Sequence, residues 1–274
     1  QMPFSGQFSR HLSPPKAMTR SGCPILDDET MNGLMDVAIK ASRKAGDIIR
    51  EHYKGVKVQK WKATSRDLLT TIDILCEKVC VLPCCCVYMD LQTPGSRDLM
   101  ESSMPFTQTI QDEITQAFPS HGFIGEESVP GGKEGSMAAI HGMLIDKDTS
   151  DFLWIVDPID GTTNFVHGIP FSAPSVALAY KGDVIVAAIF DPHRNELFTA
   201  MKGQGAFMNG QRIHVGLQSN LSQAIVAMGS PPGDESMKMS LQGAAAFMVA
   251  VQSLRMLGSA ALMLAWVANG RLTC

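Results

Sequence analysis

The 274-residue sequence has no surplus of positive charge, no unbroken apolar run of membrane length, and no second cluster of metal-binding thiols. Lys and Arg number 23 against 27 Asp and Glu, a net charge of −4, so no basic field is present to hold DNA or RNA as a main ligand. The longest apolar tract, AAAFMVAVQSLRMLGSAALMLAWVA, is broken by Gln252, Arg255, Gly258 and Ser259. Its pieces are too short to span a bilayer and read as buried helices. Five cysteines crowd into CEKVCVLPCCCV, at Cys76, Cys80, Cys84, Cys85 and Cys86. Zinc sites draw on two separated ligand pairs, and neither a second pair nor a regular disulfide framework is visible, so reduced intracellular thiols are expected. Acids are missing from the first 26 residues, which carry Arg10, Lys16 and Arg20 among serines. Residues 1–29 therefore read as a disordered tail, which goes with a cytoplasmic protein, or as a transit segment, which goes with an organelle. The sequence opens on Gln1 rather than methionine, which predicts further residues ahead of it.

What is present suffices for a real core: 45% of residues are hydrophobic and 18% charged. Between Thr30 and Tyr53, Leu34, Val37, Ala38, Ala41, Ala45, Ile48 and Ile49 recur at helical spacing, with Asp28 or Thr30 as the expected cap. A second helix is predicted over Thr107–Phe118, stopped by Pro119, and GFIG then reads as a strand leading into Glu126 and Glu127. Further on come hairpins: SVALAY and VIVAAIF flank Lys181-Gly182-Asp183, ELFTA adds a strand, and Asn209-Gly210 marks a two-residue turn. Residues 243–268 are expected to be mostly helical, closed by Asn269-Gly270. Helix, antiparallel sheet, then helix predicts a layered α+β domain over 30–274. Two stretches interrupt it: an irregular Cys-rich insertion at about 80–106 and a Gly-rich loop that starts at Pro130.

The chemistry concentrates in WIVDPIDGTTNFVHG, residues 154–168. Pro158 disfavours helix at Asp157, so the strand is expected to end there. Gly161 permits a tight turn, and Thr162, Thr163 and Asn164 favour the start of a helix. Asp157 and Asp160 would then face one space from a strand-to-helix corner. Two carboxylates so placed repel unless a proton or a cation intervenes, and magnesium suits an oxygen-lined site that keeps waters for a phosphate. The helix N-terminus would add N–H donors for an anion. The plainer alternative is a turn and an N-cap with no ligand at all.

GEES at 125–128 and DPIDGTTNFVHG at 157–168 resemble the two metal-binding signatures of the inositol monophosphatase family, and TNFVHG favours its small-polyol branch. The similarity extends over roughly residues 33–79 and 107–272. It implies a layered α/β sandwich with antiparallel and mixed sheets, dimeric when full length, that hydrolyses myo-inositol monophosphate or a similar polyol phosphate with Mg2+ and a metal-activated water. By position, Glu126, Asp157 and the Ile159 carbonyl match ligands of one metal, and Asp157 and Asp160 match ligands of a second. Asp73 and Thr162 match residues that orient the water, which Glu126 helps to activate. Ile159 and Asp160 border the substrate, Gly161 and Thr162 match phosphate-holding N–H groups, and Gly258, Ser259 and Ala260 match a segment beside the alcohol. Lys62 and Glu127 match residues standing just behind the metals.

The sequence departs from that pattern twice. The insertion at about 80–106 splits what the family builds as one helix, and Cys274 stands where the family would continue toward a Trp-Asp motif. A C-terminally shortened member is expected on that account, with an inactive binding or dimer partner as the alternative to an enzyme. Galactose-1-phosphate and histidinol phosphate phosphatases share the metal motifs and are alternatives within the enzyme class.

Overall fold

A computed structural model describes residues 26–53, 58–61, 68–70, 114, 117–125, 150–229 and 234–274. The tail before residue 26, the cysteine cluster, the insertion at 80–106 and most of the Gly-rich loop lie outside the described residues.

Helix α1 runs Asp28–His52. Its cap is Asp27 rather than Asp28 or Thr30: Asp27 is extended and its Oδ1 accepts from the Thr30 N–H at 2.7 Å. Asp28 and Glu29 in the first turn and Arg50 and His52 in the last complement the helix dipole. Leu34, Ala38, Ala41, Ala45 and Ile49 form its buried stripe. The alanines let α1 lie close on the sheet, and at Gly46 a Cβ would run into the Phe190 ring.

That sheet has seven strands in chain order: β3 (Gly122–Gly125), β4 (Phe152–Asp160), β5 (Ala173–Tyr180), β6 (Asp183–Asp191), β7 (Glu196–Met201), β8 (Gly205–Met208) and β9 (Gln211–Arg212). β3 and β4 are parallel and every other neighbouring pair is antiparallel. The β5–β6 turn has Lys181 at φ 52° and Gly182 at φ 86°; the β8–β9 turn has Asn209 at φ 49° and Gly210 at φ 79°. Positive φ at both central residues matches the twist of a two-residue hairpin, as the Asn-Gly pair predicts.

Strand alternation divides the core. Trp154, Val156, Val176, Leu178, Val186 and Ala188 share one cluster with α1. On the opposite face, Ala173 and Ile189 pack with Phe171, Leu262, Met263 and Leu272, under helix α4 (Ala260–Ala268). A smaller cluster joins Ile124, Leu153 and Ala179. This helix–sheet–helix layering is the expected α+β sandwich, with a mixed sheet at its centre.

Two smaller sheets complete the described structure: β1 (Val58–Trp61) pairs antiparallel with β2 (Leu68–Thr70), and β10 (Ile225–Ala227) pairs parallel with β11 (Ser253–Arg255). The tract at 243–268 is mostly helical as expected and closes at Asn269-Gly270, but a strand interrupts it. Helix α3 spans Asp234–Met248, strand β11 follows, and α4 begins after Gly258, whose φ of 81° breaks any continuous helix. Helical periodicity is a local signal and is blind to the pairing of β11 with a strand distant in sequence. No helix among the described residues is long and apolar enough to cross a membrane.

Candidate active site

β4 delivers the acidic corner. Trp154 and Val156 are buried at 0% and 2% exposure and fix the strand in the core. The strand does not stop at Asp157 as expected. Its register on β5 passes from Asp157↔Ser175 to Asp160↔Ala173, so Pro158 and Ile159 face Pro174 alone in a β-bulge. Among the described residues the pairing with β3 runs as far as Gly125↔Val156, two residues ahead of Pro158. The bulge bends the chain and turns the residues around Pro158 out of regular alternation.

Both backbone groups of Ile159 are engaged within the bend. Asp157 Oδ1 accepts from the Ile159 N–H at 3.0 Å, an Asx turn, while the Ile159 side chain is 1% exposed and anchors the loop. The Ile159 carbonyl accepts from the Thr162 hydroxyl at 3.0 Å. Gly161, at φ 91°, is the N-cap of helix α2 (Thr162–Val166) and makes no side-chain cap bond. α2 has only five residues, so the dipole expected to aid anion binding is small here.

A larger helix supplies the field instead. Asp160 Oδ2 accepts from the Ser259 hydroxyl at 2.5 Å and from the Ala261 N–H at 2.6 Å. Ser259 is the fully buried N-cap of α4, and its oxygen accepts from the Leu262 N–H at 3.3 Å. The Asp160 carboxylate thus sits on the positive end of α4, joined across 99 residues of sequence.

The two halves meet without spare room. A Cβ on Gly161 would stand 2.9 Å from the Phe171 carbonyl oxygen and 3.2 Å from both the Gly258 oxygen and Ser259 Cβ. Asn164, 8% exposed, donates from Nδ2 to the Phe171 carbonyl at 2.8 Å and the Leu257 carbonyl at 2.7 Å. The Phe171 segment is braced from behind: Ser172 Oγ and His193 Nε2 are 3.2 Å apart, and Arg194 donates to the Pro170 carbonyl at 3.2 Å. Fully buried Asp191 holds that brace, accepting from the His193 and Arg194 N–H groups and pairing with the Arg194 guanidinium at 2.8 Å. Burial lowers the His193 pKa against the opposing pull of Asp191.

Of the residues expected from sequence, the structure brings together Asp157, Ile159, Asp160, Gly161 and Thr162 with Gly258, Ser259 and Ala260. Ser259 turns its hydroxyl onto Asp160, whereas Gly258 and Ala260 are exposed. Lys62, Asp73, Glu126 and Glu127 lie outside the described residues, although Glu126 directly follows the end of β3. Among the described residues no group of three or more His, Cys, Asp or Glu gathers around one point. Two carboxylates, Asp157 and Asp160, and the Ile159 carbonyl lie within one four-residue bend. That all-oxygen set is of the kind that suits a hard dication. Sequence reading missed the Ala261 N–H and the bridging role of Asn164. A backbone donor carries no residue signature, and Asn164 looks locally like an ordinary helix-start residue.

The model of the inositol monophosphatase family matches residues 96–274. "Inositol monophosphatase 2" of Solanum lycopersicum is 36% identical over 244 residues, covering 88% of this chain and 77% of that protein. Among solved structures, the extragenic suppressor protein suhB of Bartonella henselae superposes with TM-score 0.65 at 32% identity, covering 87% of this chain and 75% of its own. An IMPase of Thermotoga maritima superposes with TM-score 0.64 at 28% identity, covering 87% and 74%.

Proposed function

The chain belongs to the inositol monophosphatase family, and on that premise we propose that it hydrolyses myo-inositol monophosphate, or a similar small polyol phosphate, with magnesium. The observation that carries the reading is the corner itself: Asp157, the Ile159 carbonyl and Asp160 held in one bend, with Asp160 locked onto α4.

Asp157, Asp160 and the Ile159 carbonyl would hold magnesium, joined by Glu126. Magnesium, when bound, lowers the pKa of water and stabilises charge on the leaving alkoxide. The residues do the rest by position. The Gly161 and Thr162 N–H groups hold the phosphate oxygens. The Thr162 hydroxyl, whose proton is committed to the Ile159 carbonyl, offers its oxygen as an acceptor that orients the attacking water together with Asp73. Glu126 takes the water's proton. The P–O bond to the sugar alcohol breaks as the bond from water forms, and the departing alkoxide is protonated to the free alcohol. Gly258 and Ala260, exposed beside the corner, border the alcohol. Lys62 and Glu127 are assigned by resemblance the part of tuning those ligands. The protein is proposed to act as a homodimer, in the cytoplasm.

Phosphate release from myo-inositol 1-phosphate, measured against magnesium concentration, tests this. Turnover that needs magnesium and falls at least about a hundredfold in Asp157→Asn is expected, since that carboxylate is a ligand rather than a neighbour. No release at any magnesium concentration sinks the enzyme reading and leaves a non-catalytic binding partner.

A further inference from the structure

We propose that Asn164 is a positioning residue that sets the orientation of the Asp160 carboxylate through the Leu257–Ser259 segment. The inference rests on the functional reading above for its consequence, magnesium binding, but its geometry stands separately.

Asn164 has two N–H bonds on Nδ2, and both are spent on carbonyls of different segments. Phe171 leads into β5, and Leu257 comes just before the N-cap of α4, 93 residues further along the chain. At 8% exposure the amide has little access to water, so either carbonyl would be left poorly satisfied without it. The next residue after Leu257 is Gly258, where a Cβ would stand only 2.8 Å from Asn164 Nδ2. Backbone and amide are therefore in direct contact, and Gly258 holds a φ of 81° that any side chain would resist. One residue further, Ser259 and then Ala261 grip Asp160 Oδ2. The chain of contacts runs from amide to Leu257 carbonyl, to the Gly258 bend, to the Ser259 hydroxyl, to the carboxylate. Asn164 touches neither reacting atoms nor substrate. It acts by keeping α4 and the β4 bend in one register, so that the Asp160 carboxylate points where a cation would meet it.

The test uses the whole chain, with Mg2+ alone as the probe. Calorimetric titration is expected to show Asn164→Ala binding Mg2+ about tenfold more weakly than the unaltered chain, with far-UV circular dichroism unchanged, as for other partners that orient metal ligands. An affinity within about threefold of the unaltered chain, with only a lower melting midpoint, overturns the proposal, because a merely structural role would leave ligand orientation intact. If Asn164→Ala does not fold, Asn164→Ser, which keeps one donor, takes its place. Should the unaltered chain bind no Mg2+, the functional reading fails by itself. The positioning claim is then decided by unfolding of Asn164→Ala, Asp160→Asn and the double variant. Non-additive effects support it, and additive effects overturn it.

Discussion

Replacing Gly161 by alanine should cost far more than its single methyl group suggests, and the structure supplies its own control. Gly203 has nearly the same φ, 80° against 91°, but a Cβ there meets nothing within 4 Å. Gly203→Ala therefore isolates the backbone penalty of about 1–2 kcal/mol for a left-handed L-residue. A stiffer unfolded chain gives back about 0.4–1 kcal/mol, leaving a net loss near 1 kcal/mol. Gly161→Ala carries the same terms plus a methyl lodged 2.9 Å from the Phe171 oxygen and 3.2 Å from the Gly258 oxygen. Both are backbone atoms that cannot rotate aside, so the 258–261 segment must move away from β4. Moving it loosens the Ser259 and Ala261 bonds to Asp160, at about 1–3 kcal/mol for each bond to a charged group if fully lost. A total of about 3–4 kcal/mol follows for partial loosening, against about 1 at Gly203. Equilibrium unfolding in urea at constant slope measures both variants. Destabilisation of Gly161→Ala within about 0.5 kcal/mol of Gly203→Ala would refute the claim that the β4 bend and α4 are packed to contact.

Other perturbations read different parts of the fold. The His121 ring is stacked between Phe118 and Phe152 at centroid distances of 4.6 and 4.4 Å, and its Nδ1 accepts from Trp154 Nε1 at 3.1 Å. Burial pushes its pKa down from 6.5 to about 4, so the folded chain binds fewer protons there than the unfolded chain. The stability this contributes is fully present above pH 6.5 and is lost as pH falls toward about 4. Because the ring is only half-buried, a loss of about 1–2 kcal/mol is expected between pH 7 and 4. Unfolding curves for His121→Phe should show a shallower pH dependence over that window; an unchanged slope would remove His121 as its source. Arg271 grips Glu196 with two bonds of 2.5 and 2.7 Å and lies 5.3 Å from the Trp266 ring centroid. Glu196, at 16% side-chain exposure, is better shielded than a surface pair. A double-mutant cycle of Arg271→Met and Glu196→Gln should give a coupling of about 1 kcal/mol, and a coupling near zero would mean that the pair is screened like an exposed one.

Much of the fold was legible because its signals are short-range. Alanines at helical spacing define the buried stripe of α1, Asn209-Gly210 defines a hairpin, and Trp154-Ile155-Val156 defines a core strand ahead of two aspartates. Two of the expectations that failed depended on a pairing partner elsewhere in the chain, and a third on local geometry. Pro158 predicts an end to β4 at Asp157, but the pairing of Asp160 with Ala173 carries the strand on through a bulge. Ser253–Arg255 looked helical until β10 claimed it as a neighbour. Asp27 rather than Asp28 caps α1 because hydrogen-bond geometry, not residue type alone, selects the cap.

At the acidic corner the division is sharpest. From the sequence alone come the carboxylates, the proline and glycine that bend the chain around them, and the resemblance that points to phosphate chemistry. Residue type and spacing determine these because torsional preference and charge act over a few residues. Only the tertiary structure decides that Asp160 rests on the end of α4 and that Asn164 ties Phe171 to Leu257. Those contacts join groups some 90 to 100 residues apart. Their hydrogen bonds exist only once both faces of the sheet are covered and the backbone donors of α4 have been brought to the carboxylate.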